Sequence, residues 1–241
     1  MKILGLIPAR GGSKAVPDKN IRPMAGKSLV QRAWETALEA DVCDKVVVST
    51  DSSIIAAHAE SFGADVPFLR PAQFAGDNAP MIDVALHALE QLGAFDAILL
   101  LQPPSPFRTA QQLKEAVTLL KRDEQATAIC SVAPVPLDQC PHYLMRIEAG
   151  TLDYFLPEAR KITRRQDVTR AYFRDGAVFL ARVETLRNNR NFYGERCLPL
   201  VTDWESAINI DDPRDWDLAE ARLKQIESIR PLAGHPEIDR T

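Results

Sequence analysis

Two adjacent glycines among cations are the first residues in this chain that could do chemistry. Gly11 and Gly12 interrupt an apolar run in the stretch LGLIPARGGSKAVPDKNI, and Arg10, Lys14 and Lys19 surround them. Glycines tolerate positive φ, so backbone N–H groups at such a turn can converge on an anion. Cations grouped around one turn repel each other unless a polyanion lies between them. The pattern predicts a triphosphate site, and a solvated basic turn is the alternative.

The spacing of the glycines excludes two common phosphate loops. The dinucleotide fingerprint G-x-G-x-x-G fails because Gly11 and Gly12 are adjacent, with no third glycine in register. The GKS triplet that begins at Gly26 resembles the end of a P-loop, but Ile21 stands where that motif requires its first glycine. A nest of backbone amides with added cationic side chains remains.

Short apolar runs alternate with amphipathic stretches and predict the framework around this loop. Continuously apolar runs such as KVVVST and AILLLQ are typical of strands covered on both faces. The predicted strands are 3–8, 45–50, 97–102, 128–132, 177–181 and 198–201, and the predicted helices are 28–40, 52–62, 80–92, 110–122 and 213–228. This order predicts an α/β fold with a mostly parallel sheet and helices on both faces. Ligands bind beyond the carboxyl ends of such strands, so PARGGSK, STDSS and QPPSPFR are predicted to share one rim.

Two prolines preceded by acidic or amide residues mark predicted helix starts. Pro80 follows the pair Asp77-Asn78, and Pro213 follows Asp211-Asp212. Proline is favoured in the first turn of a helix, and Asp or Asn just before it supplies a capping oxygen.

Residues 134–175 break the alternation of strands and helices. This proline-rich segment has a predicted hairpin near residues 148–151 and ends in the basic cluster ITRRQD. It is predicted to be an inserted arm, with a lid, a subunit contact or a plain surface excursion as its possible roles. The whole of residues 1–228 is predicted to form a single domain, followed by a poorly ordered tail at 229–241.

Composition argues against several classes of partner. The chain has 241 residues, a net charge of −4 and no apolar run long enough for a membrane span, so neither nucleic acid nor a membrane is expected as a partner. The four cysteines are scattered without a C-x-x-C pair, and the four histidines form no pair at metal-ligand spacing. These features predict a cytoplasmic protein with reduced thiols.

The glycine loop and five later segments together resemble one family. IPARGGSKAVPDKNI is similar to the signature of the acylneuraminate cytidylyltransferases, the CMP-sialic acid synthetase family. The resemblance continues through VVVSTDSS, LRPAQFAGDNAP, LLLQPPSPFR and RRQDVTRAYFRDGAVFLAR, and it ends in SAINIDDPRDWDLAE. The six segments occur in the family's order and cover residues 3–220.

The resemblance implies a three-layer nucleotidyltransferase fold and a homodimer in which the inserted arm makes the subunit contact. It implies transfer of CMP from CTP to a nine-carbon acidic sugar, sialic acid or a relative such as legionaminic or pseudaminic acid, with release of pyrophosphate. The implied CTP-binding residues are Ala9, Arg10, Gly11, Gly12, Ser13, Lys14, Lys19, Asn20 and Asp77. The implied sugar-binding residues are Gln102, Asp175 and Gly176, together with Arg165 and Gln166, which would reach the neighbouring subunit's site. Arg10, Lys19 and Asp211 are the implied catalytic residues.

The implied metal site departs from the commoner family pattern. That pattern reads Asp-Ile-Asp, whereas this chain has Asn209-Ile210-Asp211. Residues two apart on a strand share a face, so Asn209 would offer a carbonyl oxygen where a carboxylate usually stands. Asp211 is therefore predicted as the direct Mg²⁺ ligand, with Asn209 ligating directly or through water, because Mg²⁺ needs only one or two carboxylates besides phosphates and water. Asp212 and Asp215 are predicted to favour the start of the following helix.

Several interpretations stay open at this stage. Asp51 could face the nucleotide or cap a helix, Arg108 could serve the site or form a structural ion pair, and Asp175 stands where the family usually has asparagine. A nucleotidyltransferase for another sugar acid or sugar phosphate, and a non-catalytic nucleotide-binding relative, are the two alternative functions. Asn209, in place of a carboxylate, keeps the non-catalytic alternative open.

Overall fold

The computed structural model describes residues 1–229 of the chain. Its strands are β1 (Ile3–Pro8), β2 (Lys45–Ser49), β3 (Ala97–Leu100), β4 (Ala128–Pro134), β5 (Met145–Glu148), β6 (Thr151–Tyr154), β7 (Tyr172–Arg182) and β8 (Cys197–Val201). Its α-helices are α1 (Leu29–Ala40), α2 (Ser53–Glu60), α3 (Met81–Leu92), α4 (Ala110–Arg122), α5 (Val183–Asn189) and α6 (Pro213–Ile229). Each predicted strand and helix is present within a few residues of its expected bounds. Helix α5 was not predicted, because its seven residues are too few to show a periodic pattern.

Six strands form one sheet in the order β2-β1-β3-β7-β4-β8. Strand β1 pairs parallel with β2 and β3, and β4 pairs parallel with β8. Strand β7 runs antiparallel to both of its neighbours, β3 and β4. The prediction of a mostly parallel sheet is confirmed, and the one antiparallel strand has its early residues at the rim where the parallel strands end.

Helices cover both faces of this sheet, which explains the continuously apolar strands. Along β1, Ile3 and Ile7 join the core under α1, α2 and α4, whereas Leu4 and Leu6 join the core under α3 and α5. Because successive side chains of a strand point to opposite faces, a strand buried on both sides must be apolar throughout. The three-layer α/β prediction is therefore confirmed.

Helix starts follow the capping rules at most positions. Ser28, Ser52 and Thr109 cap α1, α2 and α4 with side-chain oxygens that accept backbone N–H bonds. Asp212 accepts bonds from the backbone N–H groups at the start of α6, as predicted. The predicted cap before Pro80 is wrong, because Pro80 is itself the N-cap residue of α3 and no side chain caps that end.

Residues 135–171 lie between β4 and β7 and outside the six-stranded sheet. They include a separate antiparallel hairpin, β5–β6, at the predicted place. The excursion is shorter than predicted, since residues from Tyr172 onward belong to β7. The predicted tail at 229–241 falls, except for its first residue, outside the described residues. Within residues 1–229, no helix has the length and apolar character needed to cross a membrane.

Candidate active site

The glycine loop, the end of β3 and the segment before α6 meet at one rim of the sheet. They enclose a cavity of about 210 Å³ that is lined by Pro8, Arg10, Ser13, Lys19, Asn20, Arg70, Met81, Gln102, Pro103, Pro104, Asn209 and Asp211. The cavity thus combines predicted nucleotide, sugar and metal residues from segments about 200 positions apart in sequence. Parallel strands bring their carboxyl ends to one edge, which is why these distant segments meet.

A second cavity of about 160 Å³ is lined by the same loop. Gly11 and Gly12 line it together with Ser52 and Ile55 of the α2 region. Four residues line both cavities: Arg10, Ser13, Lys19 and Asn20. Two of the loop cations, Arg10 and Lys19, and the Ser13 hydroxyl therefore face both cavities, whereas Lys14 lines neither.

Hydrogen bonds between side chains and backbone fix the glycine loop. Gly12 has a φ of +67°, the left-handed conformation that the Gly-Gly pattern predicted. The Gly11 N–H donates to the Asp51 carboxylate at 2.9 Å, and the Asn20 amide donates to the Arg10 carbonyl at 3.1 Å. Asp51 therefore fixes the glycine loop, and the residue that caps α2 is the next one, Ser52.

Asp77 pairs with two of the loop cations. Its carboxylate lies 2.5 Å from the Arg10 guanidinium and also forms an ion pair with Lys14. Hydrogen bonds from Lys14 and Arg10 hold the pKa of Asp77 below its usual value. The carboxylate thus contacts the cations that are predicted to bind phosphate, and its predicted part in CTP binding stays a prediction.

Lys19 links the glycine loop to the segment before α6. Its Nζ donates to the Ile210 carbonyl at 2.6 Å and lies 3.7 Å from the Asp211 carboxylate. Burial lowers the pKa of Lys19, and the nearby Asp211 charge opposes that shift. A partly desolvated cation of this kind interacts strongly with any anion that enters the cavity.

Ile210 determines where its two neighbours point. It is fully buried against Val16, Met24 and Trp216, and its N–H donates to the Pro104 carbonyl at 2.9 Å. The segment belongs to no strand, contrary to the expectation for this triplet. The alternation nevertheless holds, because the residues on either side of Ile210 both line the cavity.

Asn209 and Asp211 form the predicted metal position. The Asn209 amide donates to the Asp211 carboxylate at 2.8 Å, and the Ser105 hydroxyl donates to the Asn209 oxygen at 3.3 Å. The Asp211 side chain is 73% exposed, so its oxygens are accessible. Residues 1–229 contain no group of three or more His, Cys, Asp or Glu side chains that could hold a metal ion. Any metal here needs ligands from a substrate or water.

Gly176 brings the β7 backbone close to the predicted sugar position. It has a φ of +76°, and a Cβ placed there would lie 3.1 Å from the Ser105 oxygen, 3.4 Å from the Asn209 oxygen and 3.6 Å from the Gln102 oxygen. Only glycine fits both this backbone conformation and these approaches. The expected close approach at Gly176 is present, and it juxtaposes Gln102 and Asn209.

Asp175 lies beneath the site instead of lining it. It is only 3% exposed, and its carboxylate accepts hydrogen bonds from Ser131, Thr202 and the Ala177 N–H. These bonds satisfy its oxygens within the protein. The position favours a structural part for Asp175 over the sugar contact predicted from the sequence.

Arg165 and Gln166 are exposed on a 3₁₀ turn, Arg165–Asp167, within the arm. Neither residue lines the cavity of its own chain. The structure of the single chain therefore does not bring these two predicted sugar ligands together with Gln102.

Arg70 is a site residue that sequence reasoning missed. It is 5% exposed, lines the larger cavity, and its guanidinium lies 3.7 Å from the Asp51 carboxylate. Its buried Nε has no hydrogen-bond partner among the described residues, and burial lowers its pKa. The only sequence signal was its place in the segment LRPAQFAGDNAP. An arginine near a proline carries no local pattern that distinguishes a buried site residue from a surface one.

The model of the cytidylyltransferase family matches residues 4–196. The chain belongs to this family. This cytidylyltransferase is 37% identical to CMP-N,N'-diacetyllegionaminic acid synthase of Legionella pneumophila, over 93% of this chain and 97% of that protein. It is 36% identical to N-acylneuraminate cytidylyltransferase of Escherichia coli over 90% of this chain, but there it spans about half, 51%, of the longer protein.

A solved structure confirms the fold of this cytidylyltransferase. CMP:2-keto-3-deoxy-manno-octonic acid synthetase, solved with CTP, aligns with a TM-score of 0.71 over 94% of this chain and all of that chain. The sequences are 17% identical, so the likeness concerns the fold. The three-layer fold that the resemblance implies is thereby confirmed.

Proposed function

We propose that this cytidylyltransferase transfers CMP from CTP to the anomeric hydroxyl of a nine-carbon acidic sugar and releases pyrophosphate. The observation that carries the proposal is the cavity that joins Arg10 and Lys19 of the glycine loop to Gln102 and Asp211. The two relatives above, named for legionaminic and neuraminic acids, support the acceptor class. The four free thiols are in keeping with the reducing cytoplasm.

The glycine loop would hold the triphosphate of CTP. The sugar hydroxyl attacks the α-phosphorus, a new P–O bond forms as the bond to the β-phosphate breaks, and the hydroxyl proton passes to solvent. Such a reaction needs charge stabilisation and alignment more than acid–base groups. Arg10, Lys14 and Lys19 supply positive charge, and the amides near Gly12 supply donors.

Mg²⁺ would complete the charge stabilisation, and the residues present fit it. Neighbouring ligands of an octahedral Mg²⁺ lie about 2.9 Å apart when each bond is about 2.05 Å. The amide and carboxylate of Asn209 and Asp211 are 2.8 Å apart. A half-turn of the Asn209 carboxamide would offer its oxygen beside Asp211, and the Ser105 hydroxyl could then accept from the amide. Bound there, the metal would neutralise phosphate charge.

The acceptor would lie between Gln102 and Gly176, completed by Arg165 and Gln166 of a second protomer. An arginine suits the carboxylate of a sugar acid because its guanidinium binds carboxylates through two parallel hydrogen bonds. The arm supports a homodimer because it exposes large apolar side chains, Leu144, Met145, Ile147, Leu152 and Phe155. A second copy that covers them would remove this apolar surface from water.

Turnover with a substrate panel tests the proposal. The protein is incubated with CTP, Mg²⁺ and sialic, legionaminic, pseudaminic or eight-carbon keto-deoxy acids, and pyrophosphate and the CMP-sugar are measured. We expect pyrophosphate and CMP-sugar in equal amounts with at least one nine-carbon acid. CTP binding without turnover would instead support a non-catalytic relative, and turnover with a sugar phosphate alone would support a different acceptor.

A further inference from the structure

Arg108 lies buried where the β3–β7 ladder ends. The two strands pair from Ala97 to Leu100, and no ladder pair follows before the rim. Beyond that point the Arg108 Nη2 donates to the Gln102 carbonyl at 2.7 Å, and its Nε donates to the Ala177 carbonyl. One guanidinium therefore joins the chain just beyond the end of β3 to the middle of β7. Within residues 1–229 Arg108 bonds to two backbone carbonyls and makes no direct ion pair, although the nearby Asp175 charge acts to raise its pKa.

Strand β7 bulges at the same place. Its register with β4 shifts between Cys130 and Val132, so residues 175–178 lie opposite Ser131 alone. The Val178 N–H donates to the Ser131 hydroxyl oxygen at 2.7 Å, and Ser131 donates to the Asp175 carboxylate. Bulges redirect a strand and are favoured next to functional sites. Here the bulge carries the left-handed Gly176 into the cavity rim.

The Arg108 bonds therefore set the spacing between Gln102 and Gly176, the two residues proposed to flank the acceptor sugar. Gln102, just beyond β3, is one bonded residue, and Gly176 immediately precedes the other, Ala177 of β7. A Cβ placed on Gly176 would lie 3.4 Å from the Asn209 oxygen and 3.6 Å from the Gln102 oxygen. A shift of either bonded segment would move these groups relative to one another.

We propose that Arg108 is a positioning residue that holds Gln102 and Gly176 at the spacing required by the acceptor sugar. It acts through the backbone, since it does not line the cavity itself. The inference rests on the proposed function. Burial of the guanidinium lowers the pKa of Arg108 to about 9, and the nearby Asp175 charge opposes that shift.

A matched pair of variants tests this role. Arg182 makes the same kind of contact at the opposite rim, where it donates to the Ala126 carbonyl at 2.8 Å and the Leu120 carbonyl at 3.2 Å. Arg108→Lys and Arg182→Lys each keep the charge and lose the forked geometry. Lysine is chosen over alanine so that the buried position remains filled and the chain folds.

We expect Arg108→Lys to raise the KM of the sugar acid about 10-fold and to lower kcat, because small misplacements at a reacting centre are costly. The dissociation constant of CTP, measured by calorimetry without acceptor, should stay unchanged. Arg182→Lys should lower the melting temperature comparably and leave the sugar KM unchanged.

Two results would overturn the inference. One is an unchanged sugar KM in Arg108→Lys, and the other is an equal rise in both variants, which would indicate a general effect of stability. A wild-type protein that turns over no acid of the panel would overturn the proposed function itself. Because the wild type is assayed first, the two failures are distinguished.

Discussion

The carboxylate of Asp77 lies 2.5 Å from the guanidinium of Arg10, at the turn predicted to hold a triphosphate. The same carboxylate pairs with Lys14, so one acid neutralises two cations of the glycine loop. At both cations the Asp77 carboxylate occupies the position closest to the charge. An incoming phosphate can reach that position only by displacing the carboxylate. Asp77 should therefore compete with the nucleotide.

Replacing Asp77 by asparagine is expected to tighten CTP binding a few-fold, since the competing charge is removed while the side-chain shape is kept. Calorimetric titration with CTP measures this directly. Asp83→Asn is the control, because Asp83 forms an ion pair with Arg190, away from the glycine loop. Weaker CTP binding in Asp77→Asn, with no change in the control, would mean that Asp77 binds the nucleotide as the family resemblance implies.

Lys19→Met is expected to reduce kcat/KM for CTP about 100-fold or more, because a desolvated cation aimed into the cavity stabilises developing phosphate charge. Lys27→Met removes an exposed lysine that pairs with Glu35 and serves as the control. Steady-state pyrophosphate release measures both. A cooperative melting transition in Lys19→Met establishes that the chain still folds, and activity within a few-fold of the wild type would contradict the assignment.

Asn209→Asp is expected to lower the half-saturating Mg²⁺ concentration about 10-fold, because a second carboxylate raises the charge of the ligand set. Without Mg²⁺ the variant should melt at a lower temperature than the wild type, since two carboxylates would lie 2.8 Å apart. Thermal melts across a Mg²⁺ series, with and without CTP, give both readouts.

Asp212→Asn provides the control for the metal prediction. Asp212 accepts bonds from the N–H groups of Arg214 and Asp215, so its loss should affect the start of α6 and leave the Mg²⁺ dependence unchanged. If Asn209→Asp and Asp212→Asn alter the Mg²⁺ dependence equally, the metal does not bind at residue 209.

His87 should make folding stability depend on pH. Its ring packs against Phe68 and Phe74, its Nδ1 is buried without a partner among the described residues, and burial lowers its pKa below 6.5. Below pH 6.5 His87 binds a proton in the unfolded chain but not in the folded chain. The free energy of unfolding therefore decreases as the pH falls from 6.5 towards the lower pKa of His87 in the folded chain.

His87→Phe removes that titration and keeps an aromatic ring among the same neighbours. We expect its melting temperature to fall less than that of the wild type between pH 7 and pH 5, an interval that spans the ordinary histidine pKa of about 6.5. His58→Phe is the comparison, because that histidine contacts the Ser28 hydroxyl on another helix. Parallel pH curves for wild type and His87→Phe would show that another group governs the slope.

Local patterns predicted much of the fold. The apolar run of β1 ends directly before the glycine turn, and the turn residue Gly12 adopts the predicted left-handed conformation. The buried Ile210 between two cavity residues likewise follows from side-chain alternation. These predictions succeed because they depend on near neighbours in the chain.

Other predictions depended on contacts between distant segments. Asp77 reads as a helix-capping residue before Pro80 but pairs with the glycine loop, and Asp175 reads as a sugar ligand but is buried under Thr202 and Ser131. Arg70 gives no local signal at all. In each case several partners were compatible with the local sequence, and packing selected one.

The sequence by itself determined the order of strands and helices, the cationic glycine turn and the Asn-Ile-Asp triplet, because backbone conformation and side-chain alternation act over a few residues. Only the tertiary structure decided that Lys19 meets the Ile210 carbonyl and that Arg108 joins Gln102 to Ala177. Such contacts join residues far apart in the chain. They form only where packed strands and helices bring two particular groups within hydrogen-bond distance, and no local pattern encodes that distance.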